Sequence, residues 1–309
     1  MLGRSARVLI ILLPMAAAQN THLRPADIAK LPSTPPIAHI PYGTDPNQFA
    51  DLRLPEGRGR FPVVVVIHGG CWAEYADVTY TASLATALTR EGWATWNVEY
   101  RRVHQEGGGW PGTFFDAAHG IDALRAAAKK YPLDTARVVA IGHSAGAQLA
   151  LWDASRAGLP KDSEVYVANP LRLRGVVSIG GIPDMRAFAE NPSGPCEGRQ
   201  IRVIGGPPDE HPDRYALVSP AERLPLGVPQ VLIWGEKDTV APHALFSAYE
   251  KKAKAAGDKV TSLDINGAGH HDLMSSEMPA YSVLVVEIRR LLTVPRPVRE
   301  RLRQPNRPR

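Results

Sequence analysis

Hydrophobic positions in this chain come in short blocks, and the blocks alternate between two periods. Phe61-Pro62-Val63-Val64-Val65-Val66-Ile67 is a continuous apolar run, the pattern of a strand covered on both faces in a parallel sheet. Five more segments read as strands: 94–100, 137–141, 174–179, 229–234 and 260–265. Between them lie segments of helical pattern at 79–91, 111–130, from Ala147 onward, 243–256 and 281–292. Upstream, 37–42 and 48–54 read as two strands joined by the polar turn Gly43-Thr44-Asp45-Pro46-Asn47. Alternating strands and helices with buried strands predict an α/β fold with a doubly wound, mostly parallel sheet. In such sheets ligands bind beyond the carboxyl ends of the strands.

The two ends depart from this pattern. Residues 1–18 combine Arg4 and Arg7, the apolar run Val8–Leu13 and the small residues Ala16-Ala17-Ala18, the layout of a secretory signal peptide cleaved near Ala18. Its apolar stretch is too short for a permanent membrane span, so an exported protein without stable membrane insertion is expected. At the other end, 294–309 holds six Arg and one Glu, the composition of a disordered basic tail. These ends account for the chain's net charge of +5. Removing the tail (+5) and the two leader arginines (+2) leaves about −2 on 19–293, which gives no support to nucleic-acid binding. The remaining 275 or so residues suit one α/β domain. Within it, 182–220 reads as a cap insertion, and this segment and the loop 110–115 are expected to cover the site. With two cysteines and no zinc-type spacing, neither a metal nor a cofactor is expected.

The candidate chemistry sits where strands end. Gly142-His143-Ser144-Ala145-Gly146 lies between a strand and a helix and has the form of a nucleophile elbow, G-x-S-x-G. Gly142 and Gly146 give room for a turn too tight for Cβ atoms, and Ser144 stands at a helix N-terminus that favours developing negative charge. His68-Gly69-Gly70-Cys71-Trp72 follows the strand at 61–67, the place of an oxyanion loop; the expected donors are the N–H groups of Gly70, Cys71 and Ala145. Asp238, in Trp234-Gly235-Glu236-Lys237-Asp238, is the candidate acid, with Glu236 as the alternative. His270, in Gly267-Ala268-Gly269-His270-His271-Asp272, is the candidate base, with His271 as the alternative. Of the two adjacent histidines only one is expected to point toward Ser144. A general base must reach the serine proton and be held in one tautomer by a carboxylate.

These motifs and their order, Ser144…Asp238…His270, resemble the α/β-hydrolase superfamily, specifically the bacterial esterases related to kynurenine formamidase and the hormone-sensitive-lipase group. The resemblance spans residues 36–292. It implies an eight-stranded, mostly parallel sheet whose second strand is antiparallel, and a Ser-His-Asp acyl-enzyme mechanism acting on a small ester. A carboxylesterase preferring short acyl groups is expected, because the cap is one insertion without a large apolar lid helix. Arylformamide hydrolysis is the alternative activity, and a non-catalytic binding protein on the same scaffold the alternative class. If this fold holds, Cys71 and Cys196 stand above the same strand ends. There they are either bridged, tying the cap to the oxyanion loop, or two unpaired small core residues.

Overall fold

A computed structural model describes residues 22–191 and 193–293. The expected leader and the basic tail lie outside the described residues. Eight strands, β1 (Ala38–Pro41), β2 (Phe49–Arg53), β3 (Phe61–Ile67), β4 (Ala94–Val98), β5 (Leu133–His143), β6 (Gly175–Ile179), β7 (Gln230–Gly235) and β8 (Val260–Ile265), form one sheet. Their order is β1-β2-β4-β3-β5-β6-β7-β8. β2 runs antiparallel to both of its neighbours, β1 and β4; the pairs from β4 across to β8 are all parallel.

The valine run explains the layering. Side chains alternate across a strand. Val63, Val65 and Ile67 join a core on one face with Trp96, Phe114 and Trp152. Val64 and Val66 join a second core on the other face with Val139, Ile141 and Ile288. Both faces of β3 are buried against apolar cores, which is why 61–67 shows no alternation.

Among the described residues ten α-helices accompany the sheet: α1 (Pro25–Ile28), α2 (Thr79–Arg90), α3 (Gly112–Asp122), α4 (Leu124–Ala127), α5 (Ala145–Ser155), α6 (Met185–Ala189), α7 (Arg199–Arg202), α8 (Pro212–Val218), α9 (His243–Ala255) and α10 (Pro279–Thr293). Leu84 and Leu88 of α2 and Leu284 and Ile288 of α10 cover the Val64 face. Phe114 of α3, Leu149 and Trp152 of α5 and Phe246 of α9 cover the other. Every residue of α5 is buried, so the helix behind Ser144 is held on all sides. No helix among the described residues is long and apolar enough to cross a membrane.

Two expectations need correction. The helical pattern over 111–130 is not one helix. The chain tightens at Ala123, where the N–H of Ala126 bonds three residues back to the Ala123 carbonyl, and α3 gives way to the short α4. The strand expected at 137–141 begins earlier, at Leu133. Leu133 and Asp134 pair with Phe61 and Pro62 ahead of a register shift, so polar residues on this bulged edge hide the start of the strand. The cap insertion carries α6, α7 and α8, none longer than seven residues.

Candidate active site

The site begins with the turn from β5 into α5. A Cβ on Gly142 would collide with the carbonyl of Gly146, and one on Gly146 with the carbonyls of Ile67 and His68. The two glycines are therefore required by close backbone approach. Ser144 sits at the tip with φ 55° and ψ −121°, a left-handed strained conformation that persists only where its surroundings impose it. Its N–H is tied to the carbonyl of Ile179 on β6 (2.9 Å), and the carbonyl of Ser144 accepts from the N–H of Ala147 (3.0 Å). Ala145 is the first residue of α5, where an N–H has no partner within the helix.

The loops after β7 and β8 meet above β6. Asp238 is buried. Its Oδ1 accepts from the N–H groups of Val240 (2.8 Å) and Ala241 (2.9 Å). Its Oδ2 lies 2.7 Å from His270 Nδ1, which fixes the ring's orientation and leaves Nε2 as its other nitrogen. Glu236 is elsewhere: it accepts from the Gly267 N–H (2.9 Å) and pairs with Lys237 (3.1 Å). His271 turns away from Asp238 toward the Tyr80 hydroxyl. Gly180 makes room for the His–Asp pair. It has φ +51°, and a Cβ there would lie 3.0 Å from His270 Nδ1 and 3.1 Å from Asp238 Oδ2.

Ser144, His143, His270 and His271 line one cavity of about 380 Å³, together with Gly70 and Cys71. Among the described residues no hydrogen bond joins Ser144 Oγ to His270 Nε2. Contacts of this kind commonly tighten only with substrate in place. The loop after β3 bends through three consecutive positive-φ residues, Gly70 (100°), Cys71 (55°) and Trp72 (54°). No hydrogen bond among the described residues uses the N–H of Gly70 or Cys71, so both are free to act on a ligand. His68 and Trp72 do not face the ligand space; both are buried supports. His68 stacks on Tyr100 at 4.3 Å and brings Nε2 to 3.0 Å from Glu99 Oε1. Glu99 in turn is ion-paired to Arg102 and accepts from the N–H groups of Val78 and Tyr100, each at 2.9 Å. This buried node anchors both ends of the 68–78 loop.

The disulfide between Cys71 and Cys196 is formed, with Cα atoms 5.2 Å apart. It brings Pro195 of the cap to the cavity wall. The loop 110–115, by contrast, is not part of the cavity. Phe114 is buried against Trp152 with ring centroids 5.2 Å apart, and Trp110 packs on Phe114 and beneath the Arg214 guanidinium. These apolar contacts draw the loop into the core on the α5 side.

Three features escape sequence reading. Pro25, Ala26 and Ala29 of the N-terminal segment form a wall of the cavity. Asp272 holds that segment, accepting from the Leu23 N–H (2.7 Å) and meeting His22 Nδ1 (2.6 Å), while its Oδ2 also accepts from the Gly269 N–H (2.7 Å). Burial works against the Asp272 carboxylate, but these N–H groups and the His22 ring outweigh it and hold its pKa below the usual value. The third feature is a buried chain from Tyr80 to His143 and His271. Burial, with the nearby His270 and His271, holds His143 well below the ordinary histidine pKa; burial, then His270, pushes His271 down to about 4. One ring nitrogen from each of His143, His270 and His271 lies within 4.8 Å of the others. However, both nitrogens of His143 and Nδ1 of His270 and of His271 are already committed to protein partners. Only two of the three histidines have a nitrogen free to meet a cation.

The sheet order and the Ser144 elbow define an α/β-hydrolase fold. Solved structures agree with it: a truncated carbohydrate esterase from gut microbiota superposes with a TM-score of 0.72 over 84% of this chain and 100% of that one, at 21% identity. Esterase B from Lactobacillus rhamnosis does so with a TM-score of 0.73 over 86% and 90%, at 20% identity. Within this fold the chain belongs to the BD-FAE family, whose profile matches residues 50–252. It is also similar to Esterase LipC of Mycobacterium tuberculosis, 26% identical over 239 residues. That match covers 74% of this chain and spans 58% of the length of Esterase LipC.

Proposed function

We propose that this chain is an exported serine hydrolase that cleaves carboxylic esters with short acyl groups. The observation that carries the reading is the 2.7 Å contact of His270 Nδ1 with Asp238 Oδ2 at a cavity that Ser144 also lines. In this reading His270 Nε2 takes the proton of Ser144 Oγ as the oxygen attacks the ester carbonyl. Asp238 keeps the proton of His270 on Nδ1 before the reaction and stabilises the imidazolium that forms. The N–H groups of Gly70, Cys71 and Ala145 receive the alkoxide; such fixed donors lower a barrier by a few kcal/mol (about 3–4 for one donor). His270 then gives its proton to the leaving alcohol, and water, activated by the same base, releases the acid from Ser144.

The relatives named esterases support ester cleavage as the reaction. The cavity volume of about 380 Å³ and the short cap helices support a small acyl group. The disulfide supports an oxidising compartment, and hence export. The test is turnover of p-nitrophenyl esters from acetyl to palmitoyl beside N-formylkynurenine, with fluorophosphonate labelling of wild type and Ser144→Ala. Wild type is expected to be labelled and to turn over acetyl or butyryl esters fastest. Near-wild-type turnover by Ser144→Ala rejects the mechanism. Faster cleavage of the palmitoyl ester rejects the short-acyl assignment, and preference for N-formylkynurenine moves the activity to formamides.

A further inference from the structure

The hydrogen bonds around Tyr80 set the tautomer of His271, the second histidine of the pair. The chain starts at the carbonyl oxygen of His270, 3.0 Å from His143 Nε2. A carbonyl only accepts, so His143 Nε2 carries a proton. His143 is fully buried and held neutral, so its Nδ1 is bare. The Tyr80 hydroxyl lies 3.0 Å from that nitrogen and must donate its only proton to it. The same hydroxyl lies 2.9 Å from His271 Nδ1. Having spent its proton, the oxygen can only accept, so His271 Nδ1 carries a proton. Burial and the neighbouring His270 keep His271 neutral above about pH 4, so its Nε2 is a bare lone pair. That nitrogen has no hydrogen-bond partner among the described residues, and His271 lines the cavity shared with Ser144 and His270.

We infer that His271 Nε2 accepts a hydrogen bond from a hydroxyl group of the substrate, making His271 a specificity-determining residue for hydroxylated esters. The inference rests on the ester reading proposed above. A bound ester that covers this acceptor without offering it a donor leaves it unpaired, which is unfavourable; a substrate hydroxyl avoids that cost while a methyl group in its place does not. One hydrogen bond of ordinary worth corresponds to roughly tenfold discrimination. Tyr80 and His143 act as positioning residues, because they dictate which nitrogen of His271 is bare.

Two matched pairs of esters place a hydroxyl or a methyl at the same point. On the alcohol side the pair is 2-hydroxyethyl butyrate and propyl butyrate; on the acyl side it is ethyl 3-hydroxybutyrate and ethyl 3-methylbutyrate. The quantity read is the kcat/KM ratio within each pair, compared between enzymes, so that intrinsic reactivity cancels. His271→Leu is expected to lower the ratio roughly tenfold for at least one pair. His271→Gln, which can still offer an acceptor, is expected to keep most of it. Tyr80→Phe, which removes the partner that holds the proton on Nδ1, is expected to lower it with His271 in place. A space-filling role for His271 predicts equal losses in Leu and Gln and none in Tyr80→Phe; that outcome, or unchanged ratios in His271→Leu, overturns the inference. Nitrogen-15 spectra of the histidine rings in wild type give a readout independent of esterase activity. A proton on Nε2 of His271 overturns the inference even if every ester is hydrolysed. A bare Nε2 in an enzyme inactive on all four esters instead locates the failure in the ester reading.

Discussion

Cys71 and Cys196, 125 residues apart in sequence, are joined by a disulfide with their Cα atoms 5.2 Å apart. One end of the bond is the residue that bends the loop after β3 through a positive φ. The other lies in the cap, next to Pro195 at the cavity wall. The bond therefore sets the distance between the backbone N–H groups beside Ser144 and the segment that encloses them. Both sulfur-bearing residues are buried, so the tie runs through the protein body and is not a surface staple.

Removing this tie is expected to cost stability and turnover together. A disulfide closing a loop of this length typically contributes about 2–4 kcal/mol, which in a domain of this size corresponds to a fall in Tm of roughly 5–15 °C. The Cys71→Ser/Cys196→Ser double variant, and wild type in a phosphine reductant, should both show that fall in a thermal melt. kcat/KM on a short ester should drop several-fold at a temperature where the variant remains folded, because the Cys71 N–H loses its anchor. An unchanged kcat/KM in the folded double variant refutes the link between the bond and the loop.

The acid in the proposed mechanism can be separated from its neighbour two residues away. Asp238→Asn should lower kcat by roughly 10³–10⁴, through a wrong tautomer of His270. Glu236→Gln should leave kcat within about twofold, because Glu236 is solvent-exposed and bonded to Gly267 and Lys237, where surface substitutions have small effects. Steady-state kinetics on p-nitrophenyl butyrate decides the matter; the reverse pattern assigns the acid to Glu236.

What the sequence made legible was whatever depends on local pattern. One unbroken apolar run disclosed β3, because both faces of that strand pack on apolar cores, and the alternation of strand and helix patterns disclosed the parallel sheet. Gly142 and Gly146 disclosed the turn at Ser144, because close backbone approach excludes a Cβ. Chain order alone put Ser144, Asp238 and His270 at three strand ends. Features that depend on distant partners stayed hidden. Nothing local marks Pro25–Ala29 as a cavity wall, since its anchor, Asp272, lies about 250 residues away. Tyr80 reads as an ordinary aromatic residue in an amphipathic helix, though its hydroxyl meets His143 and His271, 63 and 191 positions away. Trp110 and Phe115 suggested a loop over the site; packing of Phe114 on Trp152 decided otherwise. The break at Ala123 left no mark because alanine suits both a continuing helix and a tightened turn.

Gly180 is a position where a single methyl group tests the geometry of the His–Asp pair. Its φ of +51° would cost an alanine about 1–2 kcal/mol. The added Cβ would sit 3.0 Å from His270 Nδ1 and 3.1 Å from Asp238 Oδ2, so the pair must give by a few tenths of an ångström. Gly180→Ala is therefore expected to lower kcat roughly tenfold or more while the protein still folds with a native circular dichroism spectrum. Wild-type kcat in this variant would show that the pair tolerates displacement and that the 2.7 Å contact does not limit turnover.

Acid should destabilise the fold through the two histidines that burial keeps neutral. His143 is held well below the ordinary value of about 6.5, and His271 is pushed down to about 4. In the unfolded chain both rings take up protons as pH falls through 6.5; in the fold they do not until much lower pH. Between 6.5 and about 4 the unfolded state thus binds more protons, and stability falls as pH falls. Each ring can add at most about 1.4 kcal/mol per pH unit to the slope, and less for His271, which is only half-buried. Urea midpoints measured from pH 7.5 to 4.5 should decline across this window. His271→Gln, which keeps a polar group beside Tyr80 but cannot take a proton, should decline less steeply, with its curve converging on wild type toward the acid end if its neutral-pH stability is lower. A wild-type midpoint that holds level or rises from pH 6.5 to 4.5 contradicts the assignment of these rings as neutral. An equal slope in His271→Gln removes His271 from the account and leaves His143 as the group that charges.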